Sequence, residues 1–247
     1  MFKSNIKNAA AKFGFEIRRL PVVPEQGTMT GAMRRLCNLE ITPRAVIDIG
    51  AARGDWTRLF KTGFPSCDAL MIEPLVENEA FLRDTCQALP GVAYELAAAG
   101  RTEGSVTFNV TPDLDGSGVY GTGDANHLVD LTARTVPQVT LNKMAKKHNL
   151  RGPFLIKFDC HGYEAPILEG ADEILGDTCA IVMECYAFHV SPTAELFWQM
   201  CTRLEKLGFR PVDIVDILLR PRDKLLWQMD IVFLRSEHPA FENSGYH

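Results

Sequence analysis

The sequence predicts one α/β domain, a doubly wound and mostly parallel sheet of seven strands that ends in an antiparallel hairpin. Three observations lead there. Short apolar runs alternate with segments of helical periodicity. The runs are almost continuously apolar, as strands covered on both faces must be. The last two runs are joined by a connection too short to hold a crossover helix. In order, the strand runs are 45–50, 68–73, 92–97, 154–159 and 179–185, with helical spacing at about 54–62, 77–88, 141–149, 163–175 and 193–207. Runs 209–219 and 228–234 form the closing hairpin. Between them all, 111–135 holds one proline, four glycines and little periodicity, so it reads as a long loop that either covers a substrate or is a surface insertion.

At 247 residues, 46% hydrophobic and 23% charged, the chain is long enough for one sizeable core. A formal charge of -5 argues against general affinity for nucleic acid, which needs a basic surface to release counterions. The seven cysteines form no CxxC pair and several lie in apolar runs, so they read as reduced thiols. No apolar run reaches the length of a membrane span, and the first 20 residues lack the continuous apolar core of a signal peptide. The cytoplasm is the simplest address, with the inner membrane surface as a peripheral alternative.

Residues 1–27 stand apart from the domain expected over 28–247. Positions 1–20 hold five Lys/Arg against the single acid Glu16, and Phe2, Ile6, Ala9, Phe13, Ile17 and Leu20 recur every three or four residues. Such an amphipathic helix either packs on the domain or meets a membrane or a partner. Oligomeric state is not legible.

The chemistry starts where the first strand ends, in Asp48-Ile-Gly50-Ala-Ala-Arg-Gly54. Glycine turns sharply and lets backbone come close to a ligand, and nucleotide-type ligands sit at the carboxyl edge of such sheets. Glu73 ends the second strand, 25 residues after Asp48, where a carboxylate can accept both ribose hydroxyls. A dinucleotide-binding dehydrogenase would use a similar acid, but its GxGxxG fingerprint needs a middle glycine that admits the pyrophosphate. Ala52 stands in that place, so an adenosyl ligand without pyrophosphate suits the loop better.

From about Val46 to Leu234 the chain resembles the FkbM family of S-adenosylmethionine-dependent methyltransferases. Its DxGAxxG motif is matched by Asp48, Gly50, Ala51 and Gly54, and its acid-proline pair by Glu73-Pro74. Its K-x-D-x-x-G-x-E signature, followed by V/I-L-x-G-A, is matched by Lys157, Asp159, Gly162 and Glu164, then Ile167-Leu168-Glu-Gly170-Ala171. Gly116-Ser117-Gly118 is similar to the family's Gly-Ser-Ser loop, and Thr140-Leu141 to the start of its next helix. Two departures are Ala52 for a common asparagine and His161 for the usual glutamate or glutamine, the latter marking a subgroup. The resemblance implies a Rossmann-like class I methyltransferase fold. It also implies S-adenosyl-L-methionine contacts at Asp48, Gly50, Ala51, Gly54, Glu73, Pro74, Ala97, Ser117 and Asp159, and O-methylation of a sugar, glycoside or related small molecule. Action on an amine, peptide or lipid headgroup, or noncatalytic adenosyl binding by a partner protein, are the alternatives.

Methyl transfer is an in-line displacement, so orientation of the acceptor dominates, and a hydroxyl acceptor benefits from a base or a metal. Asp159 ends the fourth strand and His161, a residue that titrates near neutrality, follows two positions later; both are catalytic candidates. As alternatives, each could cap the next helix. Lys157 shares a strand face with Asp159 and pairs with a buried acid or touches substrate. Acceptor-binding candidates are Glu164, which alternatively stabilises a helix start, and Glu184, His189, Trp227 and Asp230. Asp159, His161, Glu184 and His189 could together supply a divalent-metal site, although no dense ligand motif supports one.

Overall fold

Strand β1 (Ala45–Ile49) is buried along its whole length, and its residues divide between two cores. Ala45, Ile47 and Ile49 face one core while Val46 faces the other, the period-two alternation of a strand covered on both sides. Strand β7 (Phe154–Phe158) repeats this beside it: Phe154, Ile156 and Phe158 face the first core and Leu155 the second. The computed structural model describes residues 26–114, 116–119, 131–191 and 194–245, so the amphipathic segment 1–20 lies outside the described residues.

Around these strands the large sheet has the order β3-β2-β1-β7-β8-β10-β9. Its other members are β2 (Asp68–Ile72), β3 (Val92–Glu95), β8 (Thr178–Tyr186), β9 (Phe209–Leu219) and β10 (Leu226–Arg235). Strands β3, β2, β1, β7 and β8 pair in parallel, and β10 is antiparallel to both β8 and β9. This is the doubly wound sheet with a C-terminal antiparallel hairpin that the sequence predicts. Helices α1 (Met29–Asn38) and α2 (Asp55–Gly63) cover one face through Met33, Leu36 and Phe60. Helices α4 (Leu141–Lys147), α5 (Glu164–Glu169), α6 (Asp172–Leu175) and α7 (Phe197–Lys206) cover the other through Leu141, Met144, Ile167, Ile174 and Leu204. Helix α3 (Glu79–Ala88) packs Leu82 against Met71 and Ala51.

Three features differ from the sequence reading. Helix α1 is additional; Thr28 caps it by accepting the Gly31 N–H at 3.1 Å, and Met29, Met33 and Leu36 form its buried stripe. The helix expected over 163–175 is two short ones, α5 and α6, interrupted at Gly170-Ala171. A second sheet, order β4-β6-β5, is built from β4 (Ala98–Ala99), β5 (Gly104–Val110) and β6 (Thr132–Val139). It takes in the last positions of the supposed loop 111–135. Val106, Phe108 and Val110 alternate with polar residues and pack with Leu75, Ala98 and Val136. Pro137 disguises β6, but among the described residues it has a ladder partner on one side alone, Ser105 of β5, because β4 pairs only with Gln138 and Val139.

Candidate active site

The carboxyl ends of β1, β2, β7 and β8 open onto a cleft of about 810 Å³, within the range of small-molecule sites. In its wall the backbone after β1 turns through three left-handed residues, Gly50 (φ 73°), Ala52 (φ 44°) and Gly54 (φ 78°). Gly50 is required there because a Cβ would sit 1.9 Å from the Asp159 carbonyl oxygen, where the ends of β1 and β7 meet. Ala52 holds its conformation at a cost of about 1–2 kcal/mol, and its N–H is delivered to Glu73 Oε2 at 2.9 Å. The other carboxylate oxygen of Glu73 accepts the Leu75 N–H at 2.9 Å and Asn78 Nδ2 at 3.3 Å. A carboxylate has about four lone-pair sites, so this buried acid is fixed by three donors and keeps acceptor capacity in the cleft wall. Burial raises its pKa, against the lowering effect of those same hydrogen bonds.

On the same lining His161 stands in a left-handed conformation (φ 52°), an uncommon placement for a residue with a Cβ. Its Nδ1 lies 2.8 Å from the Tyr186 hydroxyl and 3.1 Å from Glu184 Oε1. The Tyr186 hydroxyl also donates to Glu184 Oε1, and Gln228 Nε2 donates to Glu184 Oε2 at 2.7 Å. Burial pulls the imidazole pKa down, but the hydrogen bond and charge of Glu184, joined by the charge of Asp159, outweigh it and raise the value to about 9. The ring is therefore mostly protonated at neutral pH in the resting site, not poised near neutrality as its residue type alone suggests. Lys157 Nζ donates to Asp159 Oδ2 at 2.7 Å. Burial pushes the Asp159 pKa up, but the charges of Lys157 and His161 prevail and hold it below the ordinary carboxylate range.

At the cleft floor Lys157 is buried beside three acids. Asp48 is its partner in the β1–β7 register, and Asp159 and Asp230 add their charges. Burial raises Asp48 to about 6 and Asp230 to about 7, against the lowering charge of Lys157 and with a smaller push from the charge of Asp159, while Lys157 itself is raised because the charges of Asp159, Asp230 and Asp48 outweigh its burial.

The Methyltransferase FkbM domain matches residues 48–211, which contain the residues lining this cleft except Trp227 and Gln228. The chain belongs to the FkbM methyltransferase family. It is thus an S-adenosylmethionine-dependent methyltransferase with the Rossmann-like class I sheet. Among solved structures it is similar to the precorrin-6y C5,15-methyltransferase of Geobacter metallireducens GS-15, with 12% identity over 83% of this chain and 86% of that one and a TM-score of 0.46. The 1,6-didemethyltoxoflavin-N1-methyltransferase of Burkholderia thailandensis is 13% identical over 96% and 88%, with a TM-score of 0.46. The N-methyltransferase NodS of Bradyrhizobium japonicum WM9 is 10% identical over 83% and 95%, with a TM-score of 0.45. No curated relative matches the chain.

For this FkbM-family chain the structure gathers Gly50, Ala51, Glu73, Pro74, Ala97, Ser117, Asp159, His161, Glu184 and Trp227 on the lining of this one cleft. The Ser117 hydroxyl is already engaged, accepting the Thr111 N–H at 3.0 Å. Five other residues singled out from the sequence do not line the cleft. Asp48 is buried beneath it and accepts the Thr57 hydroxyl at 2.6 Å. Gly54 makes room for Thr85 and Met71. Glu164 is buried and accepts the Gly162 N–H at 3.0 Å, and burial raises it to about 7. His189 is exposed, with Nδ1 2.9 Å from the Ala194 carbonyl. Asp230 faces Glu184 across β10 and β8, with Oδ1 buried and without a hydrogen-bond partner among the described residues. A metal quartet is accordingly reduced to Asp159, His161 and Glu184, whose ligand atoms lie within 4.8 Å of one another.

Sequence reasoning gave no role to Tyr186, Asn78 or Gln228. Tyr186 lies two residues after Glu184 on the same strand, a period-two signal that was available. Asn78 had none, since its contact with Glu73 depends on the turn after β2.

Proposed function

We propose that the chain transfers a methyl group from S-adenosylmethionine to a hydroxyl oxygen of a small carbohydrate-like acceptor, with His161 as the base. The observation that carries this reading is the His161–Glu184 pair. Nδ1 is occupied by Glu184 and Tyr186, whereas Nε2 has no protein partner among the described residues and the ring lines the same cleft as Glu73. A base held by a third group in this way is the arrangement that activates a weak oxygen nucleophile.

The donor set suits the cofactor. Glu73, fixed by three N–H donors, offers acceptor capacity for the ribose diol; Leu75, Ala97 and Phe108 provide apolar wall; and the anions Asp159 and Glu184 suit a cationic sulfonium. When bound, S-adenosylmethionine supplies an electrophilic methyl group. Neutral His161 accepts the acceptor hydroxyl proton on Nε2 as the oxygen takes the methyl, and Glu184 stabilises the resulting imidazolium. Lys157 keeps Asp159 ionised. Trp227 lines the acceptor end, its ring stacked on Phe188 at 5.6 Å, and beside it Gln228 adds a hydrogen-bonding amide; an aromatic plane next to polar groups suits a sugar ring.

A second reading rests on the three clustered donors, which could hold a divalent cation. The base reading is preferred because Lys157 already occupies Asp159 Oδ2, and Tyr186 and Glu184 surround Nδ1. The test is release of S-adenosylhomocysteine with a panel of sugars, glycosides, amines and peptides, with and without a chelator. Turnover with a hydroxyl acceptor, unchanged by the chelator, supports the proposal. Turnover confined to amines or peptides, dependence on added metal, or cofactor binding without transfer to any acceptor would each displace it.

A further inference from the structure

Six of the ten large apolar side chains most exposed among the described residues fall in one hairpin: Val212, Ile214, Ile217, Leu218, Leu219 and Leu225. They lie on β9 and the turn after it, away from the cofactor end of the cleft. β9 is also the outermost strand of the large sheet, and an apolar edge strand is a template for another segment. The chain itself comes to this edge. The Asp216 N–H, within β9, donates to the Gly27 carbonyl at 3.0 Å, and Gly27 is where the preceding residues join the described fold.

We propose that residues 1–20 are the occupant of this surface, lying with their apolar side against β9. Their sequence carries what such an occupant needs. Phe2, Ile6, Ala9, Phe13, Ile17 and Leu20 fall on one side at helical spacing, and the five bases among them face a remainder that carries 21 bases against 30 acids. β9 and the turn after it carry Arg210, Arg220, Arg222 and Lys224 beside Asp213, Asp216 and Asp223, with Asp213 paired to Arg35 and Asp223 to Arg220, so local charge is near balance and apolar contact carries the docking. Reach also favours this occupant over others. The connector 21–26 spans at most roughly 20 Å at about 3.3–3.6 Å per residue, so it delivers the segment within the length of the strand. A tether that short gives an effective concentration on the order of millimolar, well above that of a second copy at micromolar protein.

The experiment is amide hydrogen exchange on the full chain, compared with an Ile6→Asp/Phe13→Asp variant whose melting temperature and S-adenosylhomocysteine affinity are checked for an intact fold. Exchange of 212–219 should accelerate at least about tenfold in the variant and be independent of protein concentration in the wild type. A Leu219→Asp variant should in turn deprotect residues 1–20. Three results would overturn the proposal: exchange of 212–219 identical in both proteins; protection of β9 that rises with concentration, which assigns the edge to a second copy; and protection of residues 1–20 only when phosphatidylglycerol vesicles are added, which assigns the segment to a membrane surface.

Discussion

Replacing His161 by glutamine keeps a polar side chain and removes the base, and the pH dependence of turnover then separates catalysis from structure. With a pKa raised to about 9, only about 1% of the wild-type ring is neutral at pH 7. Wild-type turnover, measured as S-adenosylhomocysteine release at saturating cofactor and the best acceptor of the panel, should therefore climb about tenfold per pH unit from 7 and level near 9. His161→Gln should lower the plateau by roughly 10²–10⁴ and abolish the slope. Glu184→Gln removes the anion that raises the pKa, so its inflection should move down toward the ordinary histidine value while its plateau falls, because the base is weaker. The same elevation is a stability statement. The protonated ring stabilises the fold fully below its ordinary pKa of about 6.5, and that contribution disappears as pH rises through about 9. Wild-type melting temperature should fall across that window more than the variant's. Turnover flat between pH 7 and 9, together with near-normal turnover of His161→Gln, would refute the base assignment.

Glu73→Gln, which loses the charge, keeps one side-chain oxygen for either the Ala52 or the Leu75 N–H and turns an NH2 toward the other, should weaken S-adenosylhomocysteine binding about tenfold by calorimetry; unchanged affinity would remove Glu73 from the ribose. Glu73→Ala should additionally lower the melting temperature, since it strands those buried donors. Lys157→Met leaves Asp48, Asp159 and Asp230 without their shared cation and should cost about 3–5 kcal/mol in denaturant titrations at pH 8. Because Asp48 and Asp230 already have raised pKa values of about 6 and 7, their protonated forms favour the fold, so the loss should shrink as pH falls below about 6; an equal loss at pH 5.5 and 8 would contradict the charge argument.

Much of this architecture was legible because strand and helix periods differ. Apolar runs at 45–50, 68–73, 154–159 and 179–185 located the central strands, and the short polar link after Leu219 located the hairpin. The second sheet was hidden by Pro137 in β6 and by the glycines before it. Helix α1 was passed over although Thr28 and the Met29, Met33, Leu36 stripe announce it. Within the site, motif residues divided in a way spacing cannot show. Glu73 and His161 line the cleft, while Asp48, on a neighbouring strand end, turns beneath the floor to Thr57. His189 looked equivalent to His161 as a histidine after a strand, but the chain carries it outward to the Ala194 carbonyl. The elevated basicity of His161 depends on Glu184, which is 23 residues away and brought close only by the pairing of β7 with β8.

The central claim is that one cleft holds the methyl donor at Glu73 and presents its methyl to an acceptor at His161. It is tested most directly by a crystal structure of the full chain with S-adenosylhomocysteine. The account predicts both ribose hydroxyls within hydrogen-bonding distance of the Glu73 carboxylate, with the sulfur directed toward the His161–Glu184 end. A ligand whose ribose avoids Glu73, or whose sulfur points away from His161, would contradict it.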